Sequence, residues 1–106
     1  MLEQFGNVME MVKRLQQNVA NMEEQLKNEL IEVSGSDMVK VTLNGQQQIV
    51  ALEINPKYIT PESATLLQDL LITTINNGFI QSREMHKTAM DKLAGELNLP
   101  KIPGLF

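Results

Sequence analysis

The chain has 106 residues, 42% of them hydrophobic, a formal net charge of −4 and no cysteine. That length bounds it to a single domain, residues 1–106, with a thin core, and the missing thiols exclude disulfide frameworks, thiol chemistry and thiolate metal sites. The charge divides as −1, −2 and −1 over residues 1–28, 29–61 and 62–106, so no basic tail or block exists to draw the chain to nucleic acid by bulk attraction.

In chain order, residues 1–28 predict an amphipathic helix. Leu2, Phe5, Met9, Val12, Leu15, Val19, Met22 and Leu26 recur every three or four positions. Residues 29–55 change period: Ile31 and Val33, then Val39, Val41 and Leu43, then Val50, Leu52 and Ile54 alternate with polar or small residues, which predicts three strands. Ser34-Gly35-Ser36-Asp37 marks one turn, and Asn44-Gly45 marks a tight hairpin where positive φ is expected. Such short links imply an antiparallel meander with one apolar face for the helices and a second face carrying Lys40, Thr42 and Glu53. Thr60-Pro61-Glu62 reads as a capped helix start, and residues 60–94 predict a second helix with Leu67, Leu71, Ile75, Phe79, His86, Met90 and Leu93 near one face. Gly78 inside it signals close packing or a mild kink, and Gly95 is the expected terminator. Residues 95–106 hold Pro100 and Pro103 and read as an extended tail, docked on the body or free to grip a partner.

A first helix of about 40 Å outruns strands of six to eight residues, roughly 20–27 Å long. Part of its stripe therefore needs cover from outside the chain, and a second copy is the simplest cover. Phe5, Met9, Val12, Leu15, Val19, Leu71, Ile75 and Phe79 are the residues expected in that shared dimer and core stripe. Seven methionines and only four aromatics agree with adaptable burial by association.

Chemistry is hard to assemble from these residues. His86 is the single histidine and has no partner in sequence, so neither a general base nor a zinc site is expected. No phosphate-cradling glycine loop precedes a helix. The N-terminus shows Glu3 and Glu10 instead of a basic region, so no signal peptide is expected, and the stretch 66–80 is too short and too polar to span a bilayer. The expectation is a cytoplasmic protein with no enzyme activity, no cofactor, no metal, no membrane contact and no small-molecule substrate. Two pairs of cations remain: Lys13 with Arg14 on the first helix, and Arg83 with Lys87 four apart on the second. They are either ordinary solvated charges beside Glu10 and Asp91, or phosphate contacts that a dimer gathers onto one concave surface.

Several segments in combination carry a resemblance. They are Met11-Val12-Lys13-Arg14-Leu15-Gln16, Ile31-Glu32-Val33-Ser34-Gly35, Met38-Val39-Lys40-Val41-Thr42-Leu43-Asn44-Gly45, the strand ending in Ile54-Asn55-Pro56, and Leu97-Asn98-Leu99-Pro100. Over nearly its whole length the chain resembles the YbaB/EbfC family of bacterial nucleoid-associated proteins. The resemblance implies an αβββα fold of the α+β class, a tweezers-like homodimer, and duplex DNA binding with low sequence specificity in chromosome organisation and gene regulation. On that reading Lys13, Arg14, Arg83 and Lys87 contact phosphates, and so few cations imply weak, salt-sensitive binding. The alternative is a homodimeric protein-binding adaptor that uses its methionine-rich helix surface.

Overall fold

The computed structural model describes residues 2–96, with side chains from Gly6 onward. Helix α1 (Leu2–Asn28) leads into strands β1 (Leu30–Gly35), β2 (Val39–Asn44) and β3 (Ile49–Ile54). Two single 3₁₀ turns, Pro56–Tyr58 and Pro61–Ser63, precede helix α2 (Ala64–Glu96). The order is the expected αβββα. Thr60 caps the second 3₁₀ turn, its hydroxyl accepting from the Ser63 N–H at 3.2 Å, and α2 proper begins one residue beyond that turn. At the other end α2 continues through Gly95 to Glu96, so Gly95 is not the terminator the sequence suggested.

The sheet is an antiparallel meander in the order β1-β2-β3. Its register aligns Ile31 with Leu43 and Ile49, Val33 with Val41 and Leu52, and Gly35 with Val39 and Ile54, which places all nine on one face. A bulge opposite Thr42 and Leu43 leaves Val50 between the paired residues Ile49 and Ala51. On the reverse face Lys40 and Glu53 are cross-strand partners, their charged atoms 3.5 Å apart.

Among the described residues α2 is the helix that lies over the apolar face, and it packs chiefly on β1 and β2. Val39, Val41 and Leu43 are buried, whereas Ile49 and Leu52 in the β3 column remain 45% and 47% exposed. The expectation that this face receives both helices is thus corrected: α1 reaches only the end of β2. The side of α2 that meets the sheet also differs from the expected stripe. Thr74, Gly78 and Ser82 are buried there, one turn apart, while Leu67, Leu71, Ile75 and Phe79 are half-buried. Small residues win because they let the helix backbone approach the strand. A Cβ at Gly78 would collide with Leu43 Cδ1, and one at Gly35 would collide with Thr74 and Leu70.

The β2–β3 loop is the joint of the molecule. Positive φ falls on Gln47, at 61°, and not on the predicted Asn44-Gly45; the other non-glycine example is Ser36 in the first turn. Gly45 is required by proximity, since a Cβ would stand 2.8 Å from the Leu26 carbonyl oxygen. Its N–H donates to Leu26 O at 2.7 Å, and Gln46 Nε2 donates to Glu23 O at 2.7 Å, so the loop is tied to two carbonyls in the last turns of α1. On the opposite side the Gln47 N–H donates to Ser82 Oγ, and Ser82 Oγ donates to Asn44 O, both at 2.8 Å. Asn44 organises the loop from within, its Oδ1 accepting from the Gln46 and Gln48 N–H groups.

Beyond this joint the helices run antiparallel. Leu26 and Met85 meet at Gly45; Met22, Leu26 and Leu93 form a buried cluster flanked by Val19, Met85, Ala89 and Met90; and Asn18 shares a surface cleft with Glu96. Residues 2–17 of α1 therefore project past the last described turn of α2. The shape follows: extents of 73 × 22 × 16 Å and a radius of gyration of 19.9 Å, against about 13 Å for a compact chain of 100 residues. The tail assigned to residues 97–106 and the side chain of Phe5 lie outside the described residues.

Candidate nucleic-acid interface

The arm formed by α1 and the second half of α2 carries the four cations singled out in the sequence. Lys13 and Arg14 are exposed on the projecting part of α1, and Arg83 and Lys87 are exposed on α2 beside the joint. The structure does not bring the two pairs together within one chain. Arg83 and Lys87 bracket Met85, which is level with Leu26, and Lys13 and Arg14 lie twelve or thirteen residues further out, about 18 Å along the helix axis. Lys27 and Lys92 are exposed on the same arm, and Lys92 falls between the two pairs. Sequence spacing gave no reason to include Lys92, because its position depends on the antiparallel overlay of two helices distant in sequence.

Acids share this surface. Among the described residues, Glu10, Glu23, Glu24, Glu84, Asp91 and Glu96 occupy the same two helix segments as Lys13, Arg14, Lys27, Arg83, Lys87 and Lys92, and Glu29 directly follows α1, so six cations sit among seven carboxylates. Lys92 borders a cleft with Glu29 and Glu96, and His86 is half-buried in a shallow cleft with Glu23, Gln46 and Gln47. Attraction of an anion to a surface of this composition depends on local placement of the cations and not on net field. Of the expected apolar stripe, Met9 and Val12 are exposed, Leu15 and Val19 are half-buried, and so are Leu71, Ile75 and Phe79.

At the far end of the sheet, away from the arm, Tyr58 Oη donates to Asp37 Oδ2 at 2.8 Å and Lys57 Nζ lies 5.6 Å from the Tyr58 ring centre. The tyrosine hydrogen bond holds the Asp37 carboxyl below its ordinary pKa, and the same bond raises that of Tyr58. This group ties the first turn to the segment after β3. Among the described residues no cluster of three or more His, Cys, Asp or Glu is arranged to hold a metal ion, and no helix is long and apolar enough to cross a membrane.

Comparison with known proteins decides the family. The model of the YbaB/EbfC DNA-binding family matches residues 1–97. The chain belongs to the YbaB/EbfC DNA-binding family. It is 42% identical over 103 residues to a nucleoid-associated protein of Syntrophobacter fumaroxidans, covering 94% of both chains. It is 43% identical over 103 residues to one of Desulforamulus reducens, covering 96% of this chain and 95% of the relative. The same fold is seen in a crystal structure of an uncharacterized protein from Helicobacter pylori. That structure has 22% sequence identity and a TM-score of 0.76, with 90% of this chain and 98% of the other covered.

Proposed function

We propose that this protein is a nucleoid-associated protein of the bacterial cytoplasm that binds duplex DNA as a homodimer with low sequence specificity, organising the chromosome and influencing gene expression. The family match across residues 1–97 carries the reading. The arm supports it: a helix that projects from the body offers exposed cations where a duplex can reach them. Lys13, Arg14, Arg83 and Lys87 are the proposed phosphate contacts. Their separation of about 18 Å is close to half a turn of B-DNA. Contacts of this type set position on the backbone and do not read bases.

The homodimer supplies what one chain lacks. Ile49 and Leu52 on the open column of β3 are apolar, exposed and continuous with the core, so a second copy seated on this face removes them from water and doubles the number of arms. Eight proposed cations then act together. Even so, the seven carboxylates on each arm keep affinity low and salt-sensitive. The reading includes no catalysis, cofactor, membrane contact or small-molecule substrate.

Electrophoretic shift of a random-sequence duplex tests the contacts, using the wild type, Lys13→Glu with Arg14→Glu, and Arg83→Glu with Lys87→Glu. Each double variant is expected to weaken binding at low salt by at least tenfold without altering the melting temperature. Equal affinity for all three proteins rejects these residues as contacts. The exposed Met9 and Met11 favour one rival, a protein-binding adaptor. Affinity for DNA that falls linearly with log salt argues against it, because an apolar adaptor surface gives no such slope.

A further inference from the structure

The two cation pairs of the arm stand in different surroundings. On α2, Arg83, Glu84, Lys87, Asp91, Lys92 and Glu96 mix the two signs equally. On α1, residues 11–22 hold Lys13 and Arg14 and no carboxylate, with Glu10 before the window and Glu23 and Glu24 after it. About three turns of helix are thus locally positive, in a chain whose net charge is −4.

The polar residues that fill this window are amides. Arg14, Gln17, Asn18 and Asn21 fall at i, i+3, i+4 and i+7, so they share one face of α1, and Gln17 is also one turn from Lys13. Gln17 and Asn21 are exposed and Asn18 is half-buried. Among the described residues these three side chains have no hydrogen-bond partner. Amides at the base of the arm are engaged, by contrast: Asn28 Nδ2 donates to Glu24 O at 3.1 Å, and Gln46 Nε2 donates to Glu23 O. Asparagine is a poor helix former, and lysine or glutamate would solvate an exposed helix at less cost to its backbone. Glu29, Lys92 and Glu96 border the cleft that Asn18 and Asn21 line, and Gln17 lies outside that cleft.

We propose that a duplex lies along this face of α1, and that the side-chain amides of Gln17 and Asn21 donate hydrogen bonds to its phosphate or sugar oxygens beside Lys13 and Arg14. The inference rests on the DNA reading above and adds neutral contacts to it. Arg14 to Asn21 covers about 10 Å of helix, a length over which one DNA strand passes about three phosphates at about 3.4 Å of axis each. Amides are regular partners of the DNA backbone. Unlike lysine or arginine, an amide neutralises no phosphate and releases no counterion, so it adds affinity without steepening the salt dependence.

That difference gives the test. Binding of a random-sequence duplex is titrated at several salt concentrations with full-length wild type, Gln17→Ala with Asn21→Ala, and Lys13→Ala with Arg14→Ala. The amide variant is expected to bind about five- to tenfold more weakly at every salt concentration, with the slope of log affinity against log salt unchanged. The cation variant is expected to flatten that slope by about two. Alanine favours helix, so neither variant should melt below wild type. An amide variant that binds as wild type does, or that flattens the slope, overturns the proposal. Gln17→Lys with Asn21→Lys reads the same positions in the opposite sense and is expected to steepen the slope by about two. An unchanged slope in that variant also overturns it. A wild type that leaves the duplex unbound at low salt overturns the DNA reading as well, whereas a bound wild type with an indifferent amide variant overturns this inference alone.

Discussion

The sheet with its overlying helix and the projecting arm are built on opposite terms. In the body, β2 is enclosed by two strands and α2, and small residues at the contact bring backbones together until one leucine fills the gap. In the outer arm, α1 has solvent on every side that the described residues leave open. The lesson is that the body fixes the geometry, whereas the arm is shaped surface available to other molecules. The loop 44–48 connects them through hydrogen bonds to both helices.

The largest expected effect lies in the body. Leu43 has no exposed surface, so Leu43→Ala should destabilise by about 2–5 kcal/mol, seen as a fall in melting temperature of roughly 10 °C or more. A shift of a degree or two would mean the strand is less enclosed than described. Glycines sharpen the contrast next. Gly78→Ala gains helix propensity but drives a methyl into Leu43, and the net expectation is a loss of about 1–3 kcal/mol. Gly95→Ala, where a Cβ meets nothing within 4 Å, should instead be neutral or stabilise by up to about 1 kcal/mol. Denaturant titrations of the two variants should move in opposite directions, and equal shifts would erase the distinction between the two regions.

The joint comes third. Ser82→Ala removes a hydroxyl that donates to Asn44 O and accepts from the Gln47 N–H, leaving the buried Asn44 carbonyl and the part-buried Gln47 N–H to find other partners. About 1–3 kcal/mol is expected, together with faster hydrogen exchange at residues 45–47. The smallest effect is at the far end of the sheet. Asp37 is held below its ordinary pKa chiefly by the Tyr58 hydroxyl, so its stabilising contribution is present above the unfolded carboxylate range near 4 and is lost as pH falls through the lower folded value. Tyr58→Phe should melt slightly lower than wild type at pH 6, with the gap closing toward pH 3. A gap independent of pH would assign the difference to packing.

Much of the fold was legible because its signals are local. The change from a period of 3.6 to a period of 2 after Asn28, the turn residues, and the Thr60-Pro61 start each mark an element from neighbouring residues. What escaped depends on partners far apart in sequence. Hydrophobic periodicity selects the large residues Leu71, Ile75 and Phe79, but close packing selects Thr74, Gly78 and Ser82, whose smallness carries no hydrophobic signal. The joint is similar: Gln46 and Ser82 look like ordinary polar surface until their partners, 23 and 38 residues away, are in place. For the candidate site, residue type alone suggests Lys13, Arg14, Arg83 and Lys87. Their distance along the arm, and the position of Lys92 between them, follow only from the overlay of α1 on α2.

The central claim is that two chains join through their bodies and present paired arms to DNA. Light-scattering mass at micromolar concentration, with and without a short duplex, tests it most directly. The account predicts a species of twice 11.9 kDa alone, and the same pair of chains bound to the duplex at low salt. A folded species of 11.9 kDa that leaves the duplex unbound at low salt would contradict it.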